Sequence, residues 1–426
     1  MHAGDTYEVA DLALAPAGGR RIAWAERAMP ALLSVRDRFV AERPFDGQRI
    51  AACLQVTAET AVLLGTLVAG GAQVRLAASN PLSTQDDTAA ALVADHGVGV
   101  YARSGVDTET YRRHLSGALE LGPTLVIDEG GDLVNTLHTE RTGLAAAVRA
   151  GCESTASGVL RARQMYREGV LRFPMVAVDA TPTRRLVDNR YGTGQSTVDG
   201  IVRATNLLLA GRTVVVAGYG QCGTGIAERA RGLGARVVVT EVDPLRALDA
   251  TLQGYQVLPM AQAAQVGEVF VTATGNRDVL RAEHFAVMPD GAVLANAGHF
   301  DVEIDIPALT DLAVERRIGE RTHIDEYVLA DGRRLQLLAE GRVVNLTAAE
   351  GNPASVMDLA FAGQALTAAW LATGDPLPIG VHPVPAELDR QVADLRLAAS
   401  DIHLDTLTDS QRAYLSSWRS PDPAVD

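Results

Sequence analysis

Residues 213–241, TVVVAGYGQCGTGIAERARGLGARVVVTE, constrain this chain more than any other stretch. Val214 to Val216 form a β-branched run, the pattern of a strand buried on both faces of a parallel sheet. The run stops at Gly218-x-Gly220-x-x-Gly223. Helix-period sequence follows, and a second buried strand, Val237 to Val239, ends at Glu241. Strand, glycine turn, helix and strand ending in a carboxylate make up a dinucleotide fingerprint in the context its chemistry requires. The glycines let backbone N–H groups approach a pyrophosphate at the positive end of a helix. Glu241 is placed to accept from an adenosine ribose, and its charge disfavours the extra phosphate of NADP, although Arg246 just beyond could offer that phosphate a partner. The expected cofactor is NAD, with Gly218, Gly220, Gly223 and Glu241 among its ligands.

A length of 426 residues allows two or three domains with large cores. The formal net charge of -14 argues against nucleic acid or an anionic membrane surface as partner. Cys53, Cys152 and Cys222 lie far apart with no Cys-x-x-Cys or Cys/His pairing, which suggests free thiols in a reducing compartment and no metal site. The N-terminal MHAGDTYEVADLAL is acidic where a secretory signal would be basic and then apolar. The most apolar long stretch, Leu359 to Ala372, is interrupted by Gln364 and small residues. These features lead us to expect a cytoplasmic protein without a membrane span.

Apolar residues at helical spacing from Ile22 to Phe39 predict one helix over 20–43, closed by Pro44. Strands are expected at Ile50 to Leu54, Val74 to Ala77, Val98 to Tyr101, Thr124 to Ile127 and Pro174 to Val178, with helices between several of them. GCESTASG (151–158) reads as a Gly/Ser-rich lead into a further helix. The chain then passes through TPTRRLVDNRYGTGQS into a helix over Thr197 to Leu209, which leads to the dinucleotide unit. Strands at Val269 to Thr272 and Ala292 to Ala295 continue the second sheet. A long apolar helix, Pro353 to Thr373, returns to the first, and an amphipathic helix over Pro385 to Leu397 follows in a polar tail. Such alternation means parallel sheets covered by helices on both faces, with ligands beyond the strand C-termini. Polar clusters stand at those ends: Gln55-x-Thr57-x-Glu59, Asp128-Glu129, Thr274-Gly275-Asn276 and Asn296-Ala297-Gly298-His299.

The motifs resemble those of the adenosylhomocysteinase family from about residue 18 to 415. WAERAMPAL (24–32), NPLSTQDDTAAAL (80–92), EGGDL (129–133), DNRYGTGQSTVDGI (188–201), VAGYGQCGTG (216–225), GHFDVEID (298–305) and EGRVVNL (340–346) each echo a family block. The resemblance implies an α/β fold in which a Rossmann NAD-binding domain is inserted into a discontinuous α/β substrate domain with a short C-terminal tail. The expected boundaries are 1–186 for the first part of the substrate domain, 187–346 for the NAD-binding domain, 347–384 for the returning helix and 385–426 for the tail. It also implies an adenine-nucleoside substrate, NAD, and a homo-oligomer, dimer or tetramer. The family's chemistry oxidises the ribose C3′ transiently. C4′–H thereby becomes acidic enough for a base to remove, the 5′ thiol leaves, and water adds.

Carried over residue by residue, the resemblance places Leu54, Thr57, Glu59 and Met357 at the adenine. Thr155, Ser157, Asn189, Glu241, Thr274, Asn276 and Asn345 fall at the cofactor, Asp188 at the ribose, and His299 near the 5′ oxygen. The reacting positions depart from the family. Gln55 stands where it has His, Glu129 where it has Asp, Ser154 where it has a ribose-binding Glu, Arg184 where it has Lys, Asn352 where it has a gatekeeping His, and Thr193 where it has Cys. The chain ends SPDPAVD, without the Lys and Tyr by which the family's tail typically reaches a neighbouring subunit's NAD.

Glutamine exchanges no proton near neutral pH, so Gln55 can orient but cannot act as acid or base. Arginine stays charged, so Arg184 cannot readily accept a hydroxyl proton as a buried lysine can. Losing one proper acid/base costs about 10²–10⁴ in rate. The leading expectation is therefore a divergent family member that activates C4′–C5′ of an adenine nucleoside carrying a 5′ substituent other than homocysteine. In it Glu129 is the C4′ base, His299 the acid/base near C5′, Asp188 and Asn189 hold the 3′ oxygen, and Arg184 stabilises the enolate or ketone. The alternatives are a true hydrolase with rearranged acid/base groups, and a catalytically silent NAD- or nucleoside-binding paralogue. Arg184, Arg185 and Arg190 flank Asp188-Asn189 and either receive an anionic substrate group or pair with nearby acids. Asp128 and Asp132 read as loop caps rather than metal ligands.

Overall fold

The structure, a computed structural model, describes residues 7–418; the terminal SPDPAVD lies outside them. The strands in chain order are β1 (Arg49–Leu54), β2 (Gln73–Ala78), β3 (Gly99–Tyr101), β4 (Leu125–Asp128), β5 (Ala150–Glu153) and β6 (Met175–Ala177), then β7 (Thr213–Ala217), β8 (Arg236–Thr240), β9 (Gln256–Val257), β10 (Val269–Thr272), β11 (Ala292–Asn296), β12 (Ala313–Arg321), β13 (Ile324–Leu329) and β14 (Arg334–Leu338), and last β15 (Val381–Pro383). They form two sheets. The first runs β15-β6-β5-β4-β1-β2-β3 and is parallel throughout. The second runs β12-β13-β14-β11-β10-β7-β8-β9; it is parallel from β14 to β9, while β13 pairs antiparallel with both β12 and β14.

The mixed α/β architecture and the Rossmann-type second sheet agree with the sequence reading. Val214 to Val216 and Val237 to Val239 are buried in β7 and β8, as continuous β-branched runs in a parallel sheet require. The helix Ala354–Thr373 packs Leu359, Phe361, Ala365 and Leu366 into the core of the first sheet, so the chain does return after the dinucleotide unit. No helix among the described residues is long and apolar enough to cross a membrane.

Local expectations fail at four places, each for a physical reason. Residues 20–43 are not one helix. Ala15–Glu26 and Pro30–Glu42 are separate, and Pro30 opens the second, where its missing N–H costs nothing. GCESTASG is not all lead-in, because Ala150–Glu153 is the strand β5. Its small residues suit a crowded position: a Cβ on Gly151 would lie 2.6 Å from Met175 Sδ. The passage through 184–192 is helical, wound as π-type turns over Arg184–Gly192 before the helix Thr193–Thr205. The antiparallel strands β12 to β14 were not foreseen; β12 is an edge strand whose exposed arginines and glutamates hide its period.

Candidate active site

In each sheet the strand order reverses once among the parallel strands, between β4 and β1 in the first and between β10 and β7 in the second. Parallel sheets leave a crevice beyond the strand C-termini at such a point. Gln55 and Glu129 stand at the first crevice, and Gly218 and Thr274 at the second. The two crevices share a cavity of about 320 Å³.

From the first sheet, Leu54, Gln55, Thr57, Glu59, Glu129, Ser154, Thr155 and Ser157 line this cavity. Thr57 caps the helix Ala58–Ala69, and Thr155 caps Ala156–Arg167 by accepting from the Gly158 N–H at 3.0 Å, so each is fixed by its own helix start. Glu129 Oε2 accepts from the Gln55 N–H at 3.1 Å and from Ser79 Oγ at 3.3 Å. The Gln55 side-chain oxygen is engaged by the Ser83 hydroxyl. Burial, reinforced by the neighbouring Glu350, raises the Glu59 carboxyl above its ordinary range despite its helix-start hydrogen bonds. Asp128 lies beneath: its carboxylate accepts from the Glu129 N–H at 2.9 Å and the Val134 N–H at 2.8 Å, which makes it a loop cap.

Between the sheets, the π-type turns of Arg184–Gly192 bring Arg184, Asp188 and Asn189 to the same cavity. The wider turn puts residues four and five apart on one side, and Arg184 Nε lies 3.2 Å from Asp188 Oδ2 with both side chains buried. The three arginines do not converge. Arg190 turns away to pair with Glu228, and Arg185 is exposed, so Arg184 alone enters the cavity.

From the second sheet and its exit come Thr274, Asn276, His299, Asn345 and Asn352, and from the returning helix Met357. Asn345 Nδ2 donates to Ser196 Oγ (3.0 Å), and Ser196 Oγ donates to Asn352 Oδ1 (2.7 Å). His299 is held below the ordinary imidazole range, first by burial and then by Arg161, against the pull of Glu129 and Asp132. Cys222 also lines the cavity, but burial pushes its thiol up to about 12, so it is no nucleophile at neutral pH. Sequence reading missed Glu303. It is buried, lines the cavity, and accepts from the Thr274 N–H (3.0 Å), Thr274 Oγ1 (2.6 Å) and the Gly275 N–H (2.8 Å). Its place in GHFDVEID, five residues past Gly298, was the available signal.

The second crevice fits a dinucleotide. Gly218 has φ +94°, and a Cβ on Gly223 would fall 1.9 Å from the Gly218 carbonyl oxygen, so both positions require glycine. Gly220 precedes the helix Gln221–Gly232, whose start no side chain among the described residues caps. Glu241 lies beside the turn rather than in the cavity wall, with its carboxylate accepting from the Tyr219, Val242 and Asp243 N–H groups. Oε1 takes the Val242 and Asp243 N–H groups, while Oε2 takes only that of Tyr219 and keeps a lone pair for a ribose hydroxyl. Asn345 Oδ1 is buried without a hydrogen-bond partner among the described residues, an acceptor left for an amide donor.

Comparison with known proteins agrees with this geometry. Residues 6–148 match the family described as S-adenosyl-L-homocysteine hydrolase, and residues 189–351 match its NAD binding domain. The chain is 56% identical over 413 residues to the adenosylhomocysteinase of Aquifex aeolicus, covering 97% of this chain and 99% of that one. This chain belongs to the adenosylhomocysteinase family. The adenosylhomocysteinases of Thermosynechococcus vestitus and Thermococcus kodakarensis are each 53% identical, covering 97% of this chain and 96% and 98% of theirs. Family membership makes NAD the cofactor and the protein an enzyme of the NAD-containing hydrolase type. It gives no support to the leading expectation of a 5′ substituent other than homocysteine; the alternative, a true adenosylhomocysteinase with rearranged groups, fits better.

Proposed function

We propose that the protein hydrolyses S-adenosylhomocysteine through an oxidised ribose C3′, with acid/base groups arranged differently from the family motif. The observation that carries this reading is the cavity in which the strand ends of both sheets, the Arg184–Gly192 turns and His299 meet, in a chain akin to adenosylhomocysteinases over nearly its whole length. NAD, when bound, supplies reversible oxidation at C3′. Leu54, Thr57, Glu59 and Met357 take the adenine. Asp188 and Asn189 hold the 3′ oxygen, the Asp188 carboxylate taking its proton as C3′ is oxidised and returning it when the alcohol is restored; Glu129 takes the proton from C4′, and His299 moves the proton at the 5′ position. Arg184 provides a fixed positive charge for the oxyanion developing at C3′, acting by electrostatics where a lysine could also transfer a proton. Gln55, locked to Ser83, orients the substrate. The division at residues 186, 346 and 384 is part of this proposal, supported by the two sheets and the returning helix.

The test is release of homocysteine from S-adenosylhomocysteine by the NAD-loaded protein, followed with a thiol reagent. Release is expected, with E129Q and H299N each slower by about 10²–10⁴. Q55H is expected to raise the rate by tenfold or more, since it returns a titratable group to the cavity. Turnover of another 5′-substituted adenine nucleoside without homocysteine release would overturn the substrate. The absence of any cofactor absorbance change with any nucleoside would overturn the enzyme.

A further inference from the structure

We infer that Arg161 is a positioning residue that grips the Gly130-Gly131 turn of the first sheet and the Phe300 ring of the second together, and thereby sets where His299 stands. The inference rests on the role given to His299 above. Arg161 lies on the helix Ala156–Arg167, on the side facing the turn after β4. Its Nη1 donates to the Gly130 carbonyl at 2.9 Å and to Asp132 Oδ1 at 2.7 Å. The guanidinium carbon lies 4.3 Å from the centroid of the Phe300 ring, within cation–π range. Phe300 stands edge-on to His299, with centroids 4.6 Å apart and planes at 89°. On its other side the imidazole abuts Gly130, where a Cβ would lie 2.3 Å from His299 Nε2. Gly130 and Gly131 have φ +98° and +80°, so this turn can be wedged between the two side chains only because it carries no Cβ.

The imidazole is thus held between a first-sheet turn and a second-sheet ring, and Arg161 touches both. The guanidinium bonds carbonyl and carboxylate through Nη1 while its plane is free to lie against the ring; an ammonium can make the two bonds but has no such face. Arg161 also acts on His299 as a cation, against the charges of Glu129 and of its own ion-pair partner Asp132. Its removal would both loosen the ring and leave those carboxylates unopposed. A misplacement of the order of 1 Å at a reacting group is enough to slow chemistry without weakening binding.

The experiment is an NMR pH titration of the NAD-loaded protein carrying ¹³Cε1-labelled histidine. The His299 signal among the nine is assigned with H299N, and R161A, R161K and F300L are compared. R161A is expected to move the His299 midpoint to higher pH and to lower kcat for S-adenosylhomocysteine about tenfold, with KM within twofold. R161K keeps the charge and returns the midpoint but only part of kcat. F300L keeps the Arg161–Asp132 pair yet changes the His299 line shape and lowers kcat. An R161A protein whose His299 midpoint and line shape match the parent overturns the inference. Should R161A lose its near-UV circular dichroism, an unchanged His299 signal in F300L overturns it instead. If the parent releases no homocysteine, the proposed function falls, while the titration still decides whether Arg161 governs His299.

Discussion

Asn352 Nδ2 stands 2.5 Å from Asp188 Oδ1, while Arg184 Nε stands 3.2 Å from the other oxygen of that carboxylate. With Ser196 bound to Asn352 and Asn345 bound to Ser196, a hydrogen-bonded chain joins the π-type turns, the helix Thr193–Thr205 and the segment leaving the second sheet. N352A removes the partner that holds Asp188 at the cavity. The expected result is a loss of about 1–3 kcal/mol in stability, typical of a buried polar group left unpaired, with kcat lowered by about tenfold or more. N352D sets a second carboxylate against Asp188 and is expected to cost more, and increasingly so above the carboxylate range. Urea unfolding and steady-state kinetics at pH 5 and pH 8 check both; an N352D protein as stable as the parent at pH 8 would sink the argument.

Glu303 organises the cofactor side by accepting three hydrogen bonds from the Thr274-Gly275 turn. A glutamine keeps one accepting oxygen and points a donor at the remaining N–H or O–H. E303Q should therefore distort the turn and weaken NAD retention by about 10–100-fold, equal to about 1.4–2.8 kcal/mol of lost hydrogen bonding. Equilibrium dialysis with NAD measures it, and unchanged retention would show that the turn holds without the carboxylate.

How much of this was legible in sequence depends on what each signal encodes. The continuous β-branched runs of β7 and β8 report burial on both faces, and the glycines between them report a backbone no side chain tolerates, so the dinucleotide unit was readable. The polar residues just past β1, β4 and β10 were readable as candidates because ligands gather at parallel-strand ends, and the structure brings them to one cavity. β5 was not, since AGCE carries no apolar alternation and its smallness only makes sense beside Met175 and Phe173. The π-type turns of Arg184–Gly192 follow neither the 2 nor the 3.6 period. Partner choice was the least visible layer. Nothing local tells that Arg190 seeks Glu228 rather than a substrate anion, or that Arg161 reaches a ring in the loop after β11.

Gly223 offers the most direct test of the cofactor turn. A methyl group there would lie 1.9 Å from the Gly218 carbonyl oxygen, a backbone atom that cannot swing away like a side-chain end. G223A must push the turn from the helix start, so the purified variant is expected to retain about 100-fold less NAD, with a fold otherwise intact by circular dichroism. Absorbance of the acid extract against protein concentration gives the ratio. A stoichiometric G223A protein would mean that the dinucleotide does not lie across this turn.

Asp128 and Glu153 are register neighbours on β4 and β5, both buried, and this sets a pH dependence of stability. Burial raises both carboxyls above their ordinary range. Proximity of Asp128 adds to the effect on Glu153, while backbone N–H groups oppose it at both. A carboxyl raised in the folded state binds more protons there than in the unfolded chain once pH exceeds the ordinary carboxylate range. Stability therefore falls as pH climbs from that range toward the raised folded value. E153Q is the clean probe. Glu153 Oε1 accepts from the Gly130 N–H, the Thr155 N–H and Thr155 Oγ1, all of which a glutamine oxygen can still take, while Oε2 has no hydrogen-bond partner among the described residues, so the substitution removes the titrating group without removing an existing bond. The variant should gain about 1–3 kcal/mol over the parent at pH 8 and less at pH 5. Urea unfolding across pH 5–8 would show the parent's stability falling more steeply than that of E153Q. Parallel pH slopes for the two proteins would mean that these carboxyls share no excess proton in the folded state.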